Sequence, residues 1–417
     1  MKVLIIGGGV IGITTAYFLV NAGVSVTLLE QNSAGGLEAS AGNAGFVSPS
    51  DSFSWASPSA LKLAIKSLIY PDMGIKFRPG LDPHIVPWVL KFLGQCRPGK
   101  WRQNTHIKFR LAQYSLTLMR ELEQETVIQF DTIDKGIAYA CRDQKALRGL
   151  ERHFEFLSER GLELRTLDKD ELFNLNPALK SRPDIYAGAV YSPTCKTGDS
   201  QKFSKALVQW CETKKNCQFE WNTKVQKINM NNGKISSVLT SKGEFKADTY
   251  VLCAGAYSGI LSRQVGIKLP IYPIKGFSIS APITNPDMAP TTGFDDVQKM
   301  VAVSRLGGRL RIASSAVFNG FNLNHTPKDF KSILKLAREV FPGVADYNRA
   351  EYWSGLRPMT PSSTPIIGAS RVKNLFLNTG HGHLGWTLAC ASGKRRDANQ
   401  RTAKNCCKAT RGIVGNI

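Results

Sequence analysis

Three short stretches carry residue types that could do chemistry. Near the start, Gly7-Gly8-Gly9-Val10-Ile11-Gly12 supplies G-x-G-x-x-G, and Glu30 lies eighteen positions beyond its last glycine. In the last quarter Arg357 stands in GLRPMTP, while His381 and His383 flank Gly382 in TGHGHLGW. Glycines at the first spacing let a backbone turn sharply and approach a pyrophosphate, and an acid after the next strand accepts from a ribose hydroxyl. A guanidinium can take a carboxylate through two parallel hydrogen bonds. Two histidines one residue apart are compatible with half of a metal site and with unrelated chemistries, and alone they settle nothing.

The elements around the glycines make the first reading specific. Residues 2 to 6 are an apolar strand, TTAYFLVNAG continues from Gly12 at helical spacing until Gly23 stops it, and VSVTLLE forms a second strand ending in Glu30. Gly7 permits the turn, Gly9 the approach of backbone to phosphate, and Gly12 the packing of helix on strand, while the helix start at Val10 and Ile11 presents free N–H groups to an anion. Gln31 follows the acid. Strand, helix and terminal acid together predict an adenine dinucleotide, without separating NAD from FAD.

Composition bounds the rest. A chain of 417 residues with 42% hydrophobic and 21% charged residues has ordinary globular usage and room for two or three domains. No apolar run approaches the roughly 20 residues of a spanning helix, and the N-terminus reads as a strand where a secretory signal would need a basic start and a cleavage site. Nine cysteines, odd in number and without a C-x-x-C pair, suggest neither a disulfide framework nor a zinc site, so the expected compartment is a reducing cytoplasm. The net charge of +22 favours an anionic partner without choosing among nucleic acid, acidic lipid and anionic substrate.

Further motifs carry a resemblance. EASAGNAGFVSPS (residues 38–50), YPIKGFS, LRPMTP, NTGHG and GWTLAC together resemble the D-amino acid oxidase superfamily of FAD-dependent oxidoreductases, and within it the small, catalytic subunits of bacterial D-amino acid dehydrogenases, over roughly residues 1 to 393. The resemblance implies an α/β fold: a Rossmann-like FAD-binding domain (1–54, 196–270, 351–393) interleaved with an antiparallel-sheet substrate domain (55–195, 271–350), followed by an atypical basic tail (394–417). It implies that Ser40, Asn43, Ala44 and Gly45 contact the flavin, that a hairpin with Asn232-Gly233 at its turn rests over the adenine with Val225 as a backbone contact, and that Ala254 and Gly255 border the cofactor after a strand. Gly382, His383 and Gly385 become loop and helix-start residues beside the ring. A metal site would need further ligands, and the other four histidines, at 84, 106, 153 and 325, stand in no ligand-like spacing.

The implied activity is oxidation of the Cα–N bond of a D-amino acid, with hydride passing from Cα to flavin N5 and the imino acid hydrolysing to a 2-oxo acid and ammonia. Arg357 matches the carboxylate-binding arginine; Lys275 and Tyr272 are expected near the flavin. Electrons would pass to a quinone or other respiratory-chain acceptor. The segments ALKLAIKSLIY and HIVPWVLKFLGQCRPGKW, which mix apolar, aromatic and basic residues, suit either packing on the sheet or peripheral contact with an anionic membrane surface. Glycine, sarcosine or D-hydroxyproline oxidation are close neighbours. A flavin domain acting on a modified tRNA base would need a basic groove and usually a methyltransferase domain, so nucleic acid is not the expected partner.

Two departures stand out. Ser362-Ser363 replaces the Asp-Gly usual in the turn after Arg357. From Lys394 the apolar periodicity of GWTLACASG gives way to KRRDANQRTAKNCCKATRGIVGNI, which reads either as a basic tail or, preferably, as the product of a shifted reading frame.

Overall fold

The computed structural model describes residues 1–69, 74–77 and 82–394; the tail expectation therefore falls, from residue 395 onward, outside the described residues, as does Tyr70 of the first amphipathic segment. Two large sheets share one chain. The first has six strands in the order Ile366–Ala369, Leu375–Thr379, Thr249–Leu252, Lys2–Ile6, Ser25–Leu29 and Cys217–Glu220, parallel throughout except for the first pair. Parallel strands are covered on both faces, so alternate side chains enter two different cores. Val3, Ile5, Val26 and Leu28 join one core with the helix Val10–Asn21, while Leu4, Ile6, Leu29 and Tyr250 join the other with the small sheet built on Val225–Asn231 and Lys234–Thr240. That hairpin turns through Asn232 (φ 48°) and Gly233 (φ 72°), the left-handed pair that a two-residue turn demands.

The helices Val10–Asn21, Ser200–Glu212 and Gly385–Gly393 pack on the first face, and Pro98–Thr126 covers the last of them. The second sheet has nine strands, mostly antiparallel. Its path runs Glu351–Met359, Tyr272–Pro282, Arg309–Phe318, Val301–Leu306, Gly293–Asp296, Ile137–Cys141, Gly188–Ser192 and Arg165–Leu167, with Ile75–Phe77 beside the Arg309–Phe318 strand. Glu351–Met359 still hydrogen-bonds in this sheet, and the chain returns to the parallel sheet only at Ile366.

The first glycine turn is the tightest joint between strand and helix. Gly7 has φ 109°, and a Cβ built on Gly12 would lie 1.9 Å from the Gly7 carbonyl oxygen. Both positions therefore need glycine for different reasons, one for its dihedral and one for space. Gly12→Ala is expected to lower unfolding stability by about 2 kcal/mol through forced backbone movement, measured by denaturant unfolding. Gly259→Ala, whose Cβ would meet the segment at Leu269 no nearer than 3.8 Å, serves as the neutral control.

Candidate active site

Glu30 closes the fingerprint by holding it together. Its carboxylate accepts from the Gly8 N–H at 2.6 Å and from the Asn32 N–H at 2.9 Å and side-chain amide at 2.7 Å. Burial pushes the carboxyl upward and these donors oppose it. Gln31 donates to Glu38 at 3.4 Å. Gly9 caps the helix Val10–Asn21 with extended backbone and no side chain, and the Val10 N–H donates to Ser40 Oγ at 3.1 Å, which ties the small-residue loop to the helix start.

That loop is held from several directions. Asn43 Oδ1 accepts from the Gly45 N–H at 2.7 Å, its amide reaches the Ser40 carbonyl at 3.1 Å and Ser200 Oγ, and the Ala44 carbonyl accepts from Ser304 Oγ at 2.6 Å. Gly45 has φ 80°, and its carbonyl receives the Gly198 N–H. Arg311, which the sequence did not single out, is the principal clamp. It is buried, its Nε donates to Ser280 Oγ at 2.8 Å, and its Nη1 donates to the carbonyls of Ala41 and Asn43, each at 3.0 Å. No motif announces it, because only strand pairing brings it to the loop.

Strand register sorts the expected substrate-side residues. Ile274 pairs with Arg357 and Tyr272 with Met359, so these four side chains share one face of the antiparallel sheet. Gly276 belongs to the same face, and a Cβ there would lie 2.5 Å from the guanidinium carbon of Arg357, so the glycine clears the space that the guanidinium fills. Arg357 donates to the Ser315 carbonyl at 2.5 Å, and Ser315 has φ 73° where the ladder shifts register. Burial lowers its pKa to about 10, which leaves it charged at neutral pH. Lys275 faces the other way. It is buried, donates to the Asn324 carbonyl at 2.9 Å and lies over the Phe277 ring, on the face opposite Arg357. Tyr272 sits at the strand end, where its Oη accepts from the Gly320 N–H at 3.2 Å.

The histidines lie in the loop between Leu375–Thr379 and Gly385–Gly393. His381 pairs with Met359 through an isolated bridge, and its Nε2 meets Ser392 Oγ at 2.8 Å; burial drives its pKa down to about 3. His383 stacks on Trp55 with centroids 4.8 Å apart, and its imidazole is held well below its usual range by burial, then by Lys108 and Arg357. Gly382 has φ 61°, and a Cβ there would lie 2.5 Å from Met359 Sδ. Behind His383, the fully buried Lys108 donates to the Phe53 carbonyl at 2.9 Å and faces Asp51; burial pulls the amine to about 7 and raises the carboxyl to about 6. Ser363, the second departure from the expected turn, has φ 62°, the conformation a glycine would adopt freely, and accepts from the Trp55 N–H at 3.1 Å. Among the described residues no cluster of three or more His, Cys, Asp or Glu is placed to hold a metal ion.

Val225 begins a strand of the small sheet, and Ala254 and Gly255 (φ 50°) follow Thr249–Leu252 at the carboxyl ends of the parallel strands, beside the Gly7 turn. A Cβ on Gly7 would lie 2.6 Å from the Cys253 carbonyl oxygen. Glycine turn, helix start and acid thus form a cradle that fits an adenine dinucleotide, and the Ser40–Gly45 and Gly380–Gly385 loops continue it toward the Arg357 face.

Comparison with known proteins agrees. A family profile described as FAD dependent oxidoreductase matches residues 2–395. The chain is 42% identical over 394 residues to a D-amino acid dehydrogenase 2 of Mesorhizobium japonicum, covering 94% of this chain and 95% of that protein. It is 37% identical to a D-amino acid dehydrogenase of Vibrio atlanticus, covering 94% of each. Among solved structures it is similar to glycine oxidase from Bacillus cereus (TM-score 0.70, 22% identity, 94% of this chain and 93% of that one) and to L-proline dehydrogenase from P. horikoshii (TM-score 0.69, 17% identity, 94% and 91%), likenesses that speak to the fold. The profile match over nearly the whole chain, on a fold whose glycine turn and acid form a dinucleotide cradle, makes this protein a member of the DAO family of FAD-dependent oxidoreductases.

Proposed function

We propose that this protein oxidises D-amino acids to 2-oxo acids and ammonia with FAD, and hands the electrons to a quinone-type acceptor while bound to an anionic membrane surface. The observation that carries the reading is Arg357: a charged guanidinium on the sheet face that meets the cofactor loops, with Gly276 making room for it. The names of the relatives supply the substrate class. Bound FAD supplies a hydride acceptor.

Every other part is the work of this chain. Gly7, Gly9 and Gly12 with the N-terminus of the helix Val10–Asn21 hold the pyrophosphate, and Glu30 takes the ribose. Ser40, Asn43, Ala44, Gly45, Ala254, Gly255, Gly382, His383 and Gly385 line the ring's surroundings. Arg357 grips the substrate carboxylate in a fork, which fixes Cα and presents one face of it; such orientation is where most of the rate comes from when reacting atoms must sit about 3 to 3.5 Å apart. The substrate amine must be neutral to react, and the cationic, partly dry surroundings lower its pKa by like charge and desolvation. His381 and His383 stay neutral across the working range and add no charge. Lys275, on the far face, steadies the 319–324 loop through Asn324.

The membrane part rests on two helices. In Ile85–Gln95, Trp88, Val89 and Phe92 pack inward while Val86, Leu90 and Leu93 are 59%, 65% and 41% exposed, so the helix is apolar on both sides. In Ala60–Ile69, Leu61 and Ile65 are exposed, and Lys62 and Lys91 stand among these side chains. Apolar side chains beside lysines suit an anionic bilayer surface. No helix among the described residues is long and apolar enough to cross a membrane.

Arg357→Met should raise KM for D-alanine about 100-fold, the scale of losing one partner of a desolvated charge pair, while the bound flavin spectrum stays as in the parent; an unchanged KM would remove the carboxylate grip from Arg357. Leu90→Asp with Val86→Asp should cut sedimentation with anionic vesicles about tenfold and leave turnover with a water-soluble dye intact. Because the folded pKa of His381, about 3, lies below the unfolded value, its contribution to stability is full above about pH 6.5 and is lost as pH falls toward 3, by about 1.4 kcal/mol per unit. His381→Gln should flatten that part of a thermal-stability profile.

A further inference from the structure

Beside the strand end that carries Tyr272 lies a cavity of about 780 Å³, within the range of small-molecule sites. Leu269, Ile271 and Tyr272 form its floor, the helix Ser258–Arg263 one wall, and the 319–324 loop the other. Its rim is apolar and open: Ile260 is 48% and Phe321 42% exposed, with Phe321 stacked on Tyr257 at 5.6 Å. Its polar lining mixes hydrogen-bond donors and acceptors: the Arg263 guanidinium, three asparagine amides and the Asp82 carboxylate. Arg263 approaches the His84 ring at 3.4 Å, Asn319, Asn322 and Asn324 lie on the loop, and the Tyr272 hydroxyl interacts with Asp82.

Two connections give the cavity a direction. Its outer end begins the exposed apolar helix, since His84 immediately precedes Ile85–Gln95. Its inner end touches the cofactor loops: Ile271 Cδ1 lies 3.7 Å from where a Cβ on Gly380 would be, and Ala256 follows Gly255. One layer of side chain thus separates the cavity from the loop beside the ring. A ligand with an apolar body against Ile260 and Phe321 and an accepting group toward Arg263 would fit this lining.

Building on the oxidative reading above, we propose that this cavity is the electron-acceptor site, taking the ring of a lipophilic quinone that enters past Ile260 and Phe321, with its carbonyl oxygens toward Arg263 and the Tyr272 hydroxyl. The step balances as follows. Two electrons leave the reduced cofactor, which also releases its one proton, and the quinone gains two electrons and two protons to become a hydroquinone; solvent supplies the remaining proton. Tyr272 delivers a proton to the nearer carbonyl oxygen and recovers it by way of Asp82. Tyr272 therefore acts in discharging the cofactor, and Arg357 in loading it.

The test uses the FAD-loaded enzyme, a decyl-benzoquinone, and the variants Ile260→Asp, Phe321→Asp and Tyr272→Phe. Trp88, with its centroid 5.9 Å from that of Tyr272, reports binding in the oxidised enzyme without turnover, because a quinone on the floor quenches its emission. Both rim variants should weaken quenching and slow quinone reoxidation of dithionite-reduced enzyme about tenfold, while flavin bleaching by D-alanine stays within about twofold of the parent. Tyr272→Phe should keep the quenching affinity and slow reoxidation, with a larger solvent isotope effect. Unchanged quenching and reoxidation in the rim variants would place the acceptor elsewhere, and slowed bleaching by D-alanine in them would make the cavity the amino acid's entrance; either overturns the proposal. If no D-amino acid bleaches the parent enzyme, the substrate reading fails instead, and quenching with dithionite-reduced reoxidation still decides the acceptor site.

Discussion

A buried guanidinium ties the antiparallel sheet to the cofactor loop. Arg311 donates to Ser280 on its own sheet and to the carbonyls of Ala41 and Asn43 in the cofactor loop, so it ties the face that carries Arg357 to the loop that follows the dinucleotide fingerprint. Burial lowers its pKa only to about 10, and it remains a cation with three fixed partners. Without it, two half-buried carbonyls would lose their donor, a cost of about 1 kcal/mol or more each. The placing of the Ser40–Gly45 loop against the sheet that carries Arg357 depends on this contact. Gly276 on the same sheet leaves the space that the Arg357 guanidinium fills.

Much of this was legible in the sequence where chemistry is local. The glycine turn, its helix and Glu30 lie within thirty residues, and their geometry follows from sterics between near neighbours, such as Gly12 against the Gly7 carbonyl. The Asn232-Gly233 turn is legible for the same reason. FAD and the family were reached only through resemblance, since a glycine fingerprint serves NAD equally well. Lys275 and Tyr272 show the limit. They lie three positions apart beside a recognisable motif, yet a strand alternates its faces, and the register places Lys275 away from Arg357. Arg311, Asp51 and Lys108 were invisible because strand pairing and a long helix, not sequence proximity, bring them to the site.

The two histidines of TGHGHLGW serve packing and electrostatics. His381 is buried against Ser392, His383 lies on Trp55, and both imidazoles are kept neutral by desolvation. A neutral loop at the start of the helix Gly385–Gly393 leaves positive potential there to the helix N-terminus and to the nearby Lys108 and Arg357 side chains. Ser363 shows how a departure from the usual turn is accommodated: the left-handed dihedral remains, and the added hydroxyl accepts from Trp55, the residue on which His383 stacks. The Ser362-Ser363 turn, Trp55 and the histidine loop are thereby one connected assembly.

The most direct test of the central claim is the anaerobic visible spectrum of the purified protein before and after D-alanine. The account predicts a bound flavin band that bleaches with D-alanine and persists with L-alanine. A bound flavin whose band persists with every D-amino acid tried would contradict it.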